Sequence, residues 1–193
     1  MTDAGLKEMK RIGKLLSSRR RETIPLCGMK AAAVMMLIFE EAGELKILFT
    51  KRTDKVSTHQ GQISFPGGVA HQEDKGPVDT ALRETMEEVG VAAGRIKVLG
   101  GLDDITTISN FVISPFAGYM EERPEYCLSE REIDRVIEVP IKALLEKQYF
   151  KAEEWIVDKG EVHMVYYFDY KDDVIWGATA RILHQFLTLC YGF

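Results

Sequence analysis

Residues 31–39, AAAVMMLIF, are nine consecutive apolar positions, the longest such run in the chain. A membrane-spanning helix needs about 20, so the run reads as a strand buried in a core. A second apolar run at 44–50 lies beyond Glu40-Glu41-Ala42-Gly43, and the two carry the pattern of a hairpin. Residues 95–101 and 111–120 read as further strands, with a polar loop at 103–110 between them. Then come a short strand at 136–139, stopped by Pro140, and a short helix at 141–147. Residues 152–157 and 162–170 read as a β-pair turning at Asp158-Lys159-Gly160, and 176–191 as a buried helix with Trp176 in the core. Strands, a central helix, more strands and a closing helix predict a mixed α/β sandwich rather than a regular βαβ series.

Composition bounds the rest. With 46% hydrophobic and 28% charged residues among 193, the chain is built like an ordinary soluble domain, which excludes disorder, collagen and coiled coil. A net charge of −5 argues against general nucleic-acid binding. The sign is uneven: residues 1–21 hold seven Lys/Arg against Asp3 and Glu8, a net of +5, and the remainder carries −10. Leu6, Met9, Ile12 and Leu16 recur at helical spacing among Lys7, Lys10, Arg11 and Lys14. This predicts a basic amphipathic helix and linker over 1–28, ahead of a main domain over 29–193. The helix either packs across the domain or serves as a membrane-surface or targeting element. Cys27, Cys127 and Cys190 are odd in number and far apart. No disulfide framework or zinc site is expected, and with no secretory signal the expected home is cytoplasmic.

The chemistry concentrates in residues 67–91, GGVAHQEDKGPVDTALRETMEEVGV. Pro77 suits the first turn of a helix and Gly90 the position past its end. On that helix Glu84, Glu87 and Glu88 fall within a sector of about 100°. Val78, Leu82, Thr85, Met86 and Val89 take nearly the opposite side, so one face should seal against the core while the other offers three carboxylates. Arg83 alone cannot neutralise them. Clustered carboxylate oxygens suit Mg²⁺ or Mn²⁺, although a solvated acidic face is the plainer alternative from helix geometry alone. Pro66-Gly67-Gly68 reads as an irregular loop that lets backbone approach a ligand and can present a carbonyl to a metal.

Arg83-Glu84-Thr85-Met86-Glu87-Glu88-Val89-Gly90-Val91 resembles the core of the Nudix box, Gx5Ex7REUxEExGU with U aliphatic, departing from it at Thr85. Asp74 stands near the early Glu position with Glu73 beside it, one residue farther from Arg83 than the pattern has. Upstream, residues 48–68, LFTKRTDKVSTHQGQISFPGG, are similar to the extension found in Nudix coenzyme A diphosphatases, approximately LLTxRSxxxRxHxGxxxFPGG. Thr50, Arg52, His59, Gly61 and Phe65-Pro66-Gly67-Gly68 match it. Thr53 replaces Ser, and Ser57 stands where a basic residue is often found. Leu102-Asp103-Asp104, Val139-Pro140 and Trp176-Gly177-Ala178-Thr179-Ala180 also look like family features.

The resemblance implies a Nudix-type α/β/α sandwich with a mixed central β-sheet. It implies Mg²⁺- or Mn²⁺-dependent hydrolysis of the diphosphate of coenzyme A or its derivatives, to 3′,5′-ADP and 4′-phosphopantetheine or its acyl form. Glu84, Glu87 and Glu88 would bind metal, with the Gly67 carbonyl a possible further ligand. Glu84 would activate water, Glu88 would share the catalytic work, and Arg83 would orient the glutamates. Arg52, His59, Gln62 and Phe65 would contact substrate, and Glu122, Glu153 and Glu154 are candidates for an acid outside the box. Two alternatives stand beside this reading: the same chemistry on ADP-ribose, a nucleotide sugar or a dinucleoside polyphosphate, or a non-catalytic ligand-sensing domain. The partners implied are a small molecule, with a homodimer left open, and neither nucleic acid nor stable membrane insertion.

Overall fold

The apolar run at 31–39 lies within a 12-residue strand, β1 (Lys30–Glu41), of the computed structural model, which describes residues 1–54, 60–156 and 162–193. Its side chains alternate between two cores. On one face Met36 and Ile38 join Met9, Ile12 and Leu16 of helix α1 (Asp3–Ser18). On the other, Ala33, Met35, Leu37 and Phe39 join Ala81 and Val89 of helix α2 (Pro77–Val89). A strand covered on both sides has no use for polar alternation, which is why the run is unbroken.

β1 is paired along both edges. Strand β2 (Glu44–Arg52) returns antiparallel with Ile38 opposite Ile47, through Ala42 and Gly43, whose φ values of 52° and 80° suit a tight hairpin turn. Two short strands follow, β3 (Ile63–Ser64) against β2 and β4 (Gly67–Val69) against β1. After α2 come β5 (Lys97–Gly101), β6 (Ile105–Thr106) and β7 (Phe111–Tyr119). β7 runs parallel to β1, from Lys30 opposite Phe111 to Ile38 opposite Tyr119. Strand β8 (Ile133–Pro140) adds to the far edge of β2. The sheet is mixed, in the order β3-β2-β1-β7-β5, and lies between helices, as expected for the sandwich.

A one-turn helix, α3 (Ile141–Leu144), then leads to a smaller antiparallel sheet of β9 (Phe150–Ile156), β10 (Val162–Tyr170) and β11 (Asp173–Trp176). Helix α4 (Gly177–Tyr191) closes the chain, with its His184 ring stacked 4.2 Å from that of Tyr166. The expected turn at 158–160 lies outside the described residues.

Two segments depart from expectation. Gly67 and Gly68, expected in an irregular loop, form β4, because the absence of side chains lets their backbone pair with β1. Trp176, expected in the core, is 39% exposed. It lies opposite Tyr167 at the end of β11, whose alternation sends Ile175 inward instead.

The basic N-terminal segment is built into the same body. Met9, Ile12 and Leu16 are buried, while Lys7, Lys10 and Lys14 face outward. The chain after α1 is strapped down by Asp103 and Asp104, which pair with Arg19 and Arg21. Asp103 also accepts from Glu22 N at 2.8 Å, and Asp104 from Ile24 N at 3.0 Å and Ser114 Oγ at 2.8 Å. Leu102-Asp103-Asp104 is thus a clamp on the linker. Among the described residues no helix is long and apolar enough to cross a membrane.

A second clamp joins the two sheets. Asp173 of β11 is 7% exposed and accepts from Arg135 Nη2 of β8 at 2.6 and 2.8 Å and from Lys51 Nζ of β2 at 3.2 Å. Burial by itself would raise this carboxyl, but the bonds from Arg135 and Lys51 outweigh it and hold it below its usual range. The contribution of a depressed carboxyl is present above its unfolded pKa and lost as pH falls through the folded value. Asp173→Asn should therefore cost about 2 kcal/mol near neutrality, and the difference from wild type should shrink below about pH 4. Urea denaturation across pH checks this; a deficit independent of pH would mean that the charge is not what ties the sheets together.

Candidate functional site

The site forms where β1 changes partner. Toward its C-terminal end β1 pairs with β2, and toward its N-terminal end with β4; between the two, Met35 N donates to the Pro66 carbonyl at 2.8 Å. Glycine is required on both sides of this junction. A Cβ on Gly67 would sit 2.7 Å from Val34 Cα and closer still to the Ala33 carbonyl, and one on Gly68 would lie 2.5 Å from the Glu84 carboxyl carbon. β4 is therefore a thin sheet edge wedged between β1 and the carboxylates of α2.

Helix α2 begins at Pro77 and ends on Gly90, whose φ of 76° lets its N–H return to the Met86 carbonyl at 3.0 Å. Its orientation corrects the expectation. The buried side runs through Thr80, Ala81, Thr85, Glu88 and Val89, while Met86, expected in the core, is 50% exposed. The helix is turned so that Glu88 faces the sheet. Thr85, at the aliphatic position of the motif, is fully buried and satisfies its hydroxyl on the Ala81 carbonyl at 2.6 Å.

The three glutamates consequently sit in different environments. Glu88 is 3% exposed, accepts from Gly67 N at 3.3 Å and lies 3.5 Å from Arg52 Nη1. Burial pushes its carboxyl up to about 8, against the Gly67 N–H and Arg52, and with help from Glu84 and Glu132. Glu84 is raised as well, by burial first, although Arg83 Nη1 donates to it at 2.8 Å. Glu87 is exposed and accepts from the same Arg83 nitrogen at 3.0 Å.

Arg83 is the hub. Its Nε and Nη2 form a two-pronged pair with Asp74 at 3.0 and 3.1 Å, and Nη2 also reaches the Val69 carbonyl at 3.0 Å. Asp74 further accepts from His71 N at 2.9 Å and Thr80 Oγ1 at 2.8 Å, and the Arg83 bonds hold its carboxyl well below the usual range. Of the two early acids, then, it is Asp74 that meets Arg83; Glu73 is exposed.

The remaining candidates divide. Arg52, at the end of β2, reaches the cluster. Gln62 is half-buried beside it, its carbonyl accepting from Arg52 N at 3.0 Å. His59 and Ser57 lie outside the described residues. Phe65 does not line a pocket: it is 1% exposed and stacks on Phe49 at 4.8 Å, because alternation along the segment turns it inward. None of the three acids expected from outside the box joins the cluster. Glu122 lies 3.6 Å from Arg95, Glu153 pairs with Lys151 on β9, and Glu154 sits on β9 opposite Met164.

The acid that does approach is Glu132. It lies 3.8 Å from Arg52 Nη2, and its charge adds to the raised carboxyls of Glu84 and Glu88. The turn that carries it is closed by backbone, Glu132 N donating to Ser129 O at 2.9 Å, and its side chain reaches toward Arg52.

Among the described residues no group of three His, Cys, Asp or Glu side chains is drawn together as around an ion. Arg83 spans Glu84 and Glu87, while Glu88 faces Gly67. The donor chemistry nevertheless fits a hard divalent cation. The ligands on offer are all oxygens, and the nearest counter-charge to the buried Glu88, Arg52 Nη1 at 3.5 Å, stands outside charge-assisted hydrogen-bond range.

Comparison with known proteins bears on the family and the fold. The NUDIX domain model matches residues 29–159. "Nudix hydrolase 22, chloroplastic" of Arabidopsis thaliana is 36% identical over 171 residues, covering 84% of this chain and 56% of that protein. "Uncharacterized Nudix hydrolase NudL" of Photorhabdus laumondii is 33% identical over 139 residues, covering 72% and 74% respectively. The chain thus spans less than two thirds of the Arabidopsis relative. Among solved structures, the Nudix hydrolase RenU from M. smegmatis superposes with a TM-score of 0.51 at 18% identity, over 60% of this chain and 73% of that one. A MutT/nudix family protein from Enterococcus faecalis superposes at 0.50 and 19% identity, over 91% and 63%.

The burial of Glu88 has a measurable consequence in metal-free buffer. The folded chain keeps a proton that the unfolded chain loses near 4.5, so the associated stability is full below that value and lost as pH rises through about 8. Glu88→Gln removes the dependence. Its stability relative to wild type should rise between pH 5 and 8.5, by about 4 kcal/mol. A constant difference over that range would show that the carboxylate is well matched when ionised.

Proposed function

The chain belongs to the Nudix family, and from that premise we propose that it hydrolyses the diphosphate bond of coenzyme A or its derivatives, releasing 3′,5′-ADP and 4′-phosphopantetheine or its acylated form. The observation that carries this reading is the continuity of residues 48–68 with the acidic helix. One end of that segment brings Arg52 to 3.5 Å from Glu88, and the other lays Gly67-Gly68 against Glu88 and Glu84.

Glu84, Glu87 and Glu88 would hold Mg²⁺ or Mn²⁺, with the Gly67 carbonyl as a further ligand. Such an ion, when bound, offsets charge on the diphosphate and eases deprotonation of water. The chain's own groups do the rest. Glu84 is half-buried with a raised carboxyl, as suits a group that must take a proton near neutrality. It accepts the proton of the attacking water as the new P–O bond forms and the anhydride P–O bond breaks, and the electron pair leaves on the departing phosphate. Arg83, fixed by Asp74, holds Glu84 and Glu87 in register. Arg52 supplies a planar fork for a substrate phosphate.

Incubation with coenzyme A and Mg²⁺ or Mn²⁺, beside ADP-ribose and a nucleotide sugar, tests the reading by mass spectrometry. The expected result is metal-dependent release of 3′,5′-ADP from coenzyme A, faster than cleavage of the others. Glu84→Gln should lower the rate by about 100-fold or more while leaving the fold intact by circular dichroism. Cleavage of another substrate with coenzyme A untouched would overturn the substrate, and an unimpaired Glu84→Gln variant the base.

A further inference from the structure

The two arginines of the site are held in opposite ways. Arg83 makes five contacts of 2.8–3.1 Å, two of them a fork onto Asp74. Among the described residues the Arg52 guanidinium makes none so short: it stands 3.5 Å from Glu88 and 3.8 Å from Glu132, beyond the 2.7–2.9 Å range of a charge-assisted hydrogen bond. Its Nε is buried and, among the described residues, has no hydrogen-bond partner. Beside it the β2–β8 register shifts, Lys51 lying opposite Arg135 and Arg52 opposite Ile133, so that β8 carries one extra residue, Asp134. The backbone of the acids on either side is tied down: Ser129 N bonds the Glu88 carbonyl at 3.0 Å and Thr53 N bonds the Glu132 carbonyl at 2.9 Å.

We propose that Arg52 is the resident counter-ion of the acidic site in the metal-free protein, and that a divalent cation displaces it from Glu88 and so frees its guanidinium for a substrate phosphate. The inference rests on the reading of Glu84, Glu87 and Glu88 as metal ligands. A side chain held by charge alone gives up no hydrogen bond when it moves, whereas Arg83 would forfeit several. A divalent ion entering beside Glu88 meets repulsion from a guanidinium a few ångströms away and takes over its role as counter-charge. Cation and phosphate are then bound in order: the first releases the group that grips the second.

Mn²⁺ binding without substrate, followed by the electron paramagnetic resonance signal of free Mn²⁺, tests this independently of turnover. Neutral variants Arg52→Gln and Arg52→Met should bind Mn²⁺ about tenfold more tightly than wild type, by removal of one nearby positive charge. Arg52→Lys, which keeps the charge, should stay near wild type, as should Arg20→Gln, which removes an exposed charge elsewhere. Glu88→Gln should bind more weakly. Either neutral Arg52 variant that melts cooperatively carries the result. Unchanged or weaker Mn²⁺ binding by that variant, with wild type binding and Glu88→Gln impaired, overturns the role of Arg52 alone. Failure of wild type to bind Mn²⁺ overturns both this inference and the assignment of the ligands.

Discussion

The approach of β4 to β1 is the constraint on which the rest of the site depends. Gly67 lies so close to Val34 and Ala33 that a side chain would have to displace backbone rather than a flexible neighbour. That contact seats the start of β4 on β1 and leaves Gly67 N within 3.3 Å of Glu88. On its other side Gly68 leaves just enough room for the Glu84 carboxylate. A glycine pair therefore does what no other dipeptide could: it completes a sheet edge and admits a carboxylate in the same few ångströms.

Burying Glu88 runs against stability, because an ionised carboxylate out of water must be paired or protonated. The chain meets the problem with two arginines and one backbone N–H. Arg83 is tied to Asp74 and serves the more exposed pair, Glu84 and Glu87. Glu88 is left with a long contact to Arg52 and a single N–H bond. A carboxylate so incompletely matched suits the cation binding proposed for this site better than it suits a structural ion pair.

Clamps outside the site keep this arrangement from opening. Asp103 and Asp104 strap the segment after α1 to the body, so the basic helix shares the core under β1 instead of standing apart. Asp173 joins β11 to β2 and β8, two strands from which Arg52 and the turn bearing Glu132 approach the site. In each case one buried carboxylate spans elements far apart in the chain. Such pairs tie down arrangement more than they add net stability.

Most of the architecture was legible because it is local or periodic. The unbroken run at 31–39 marks a two-sided strand, Pro77 and Gly90 bound α2, and the spacing of Glu84, Glu87 and Glu88 places them on one helix. The sequence alone also determined which residue types meet in the motif and hence the chemistry they can support. It could not determine how α2 is rotated, because the amphipathic pattern places Met86 inward and the packing of Glu88 against β4 overrides it. Nor could it single out Asp74 over Glu73, Glu132 over three other acids, or the core position of Phe65. Those choices belong to the tertiary structure. They depend on contacts across tens of residues, and whether a carboxylate is exposed, paired or buried is decided by neighbours that spacing along the chain does not record.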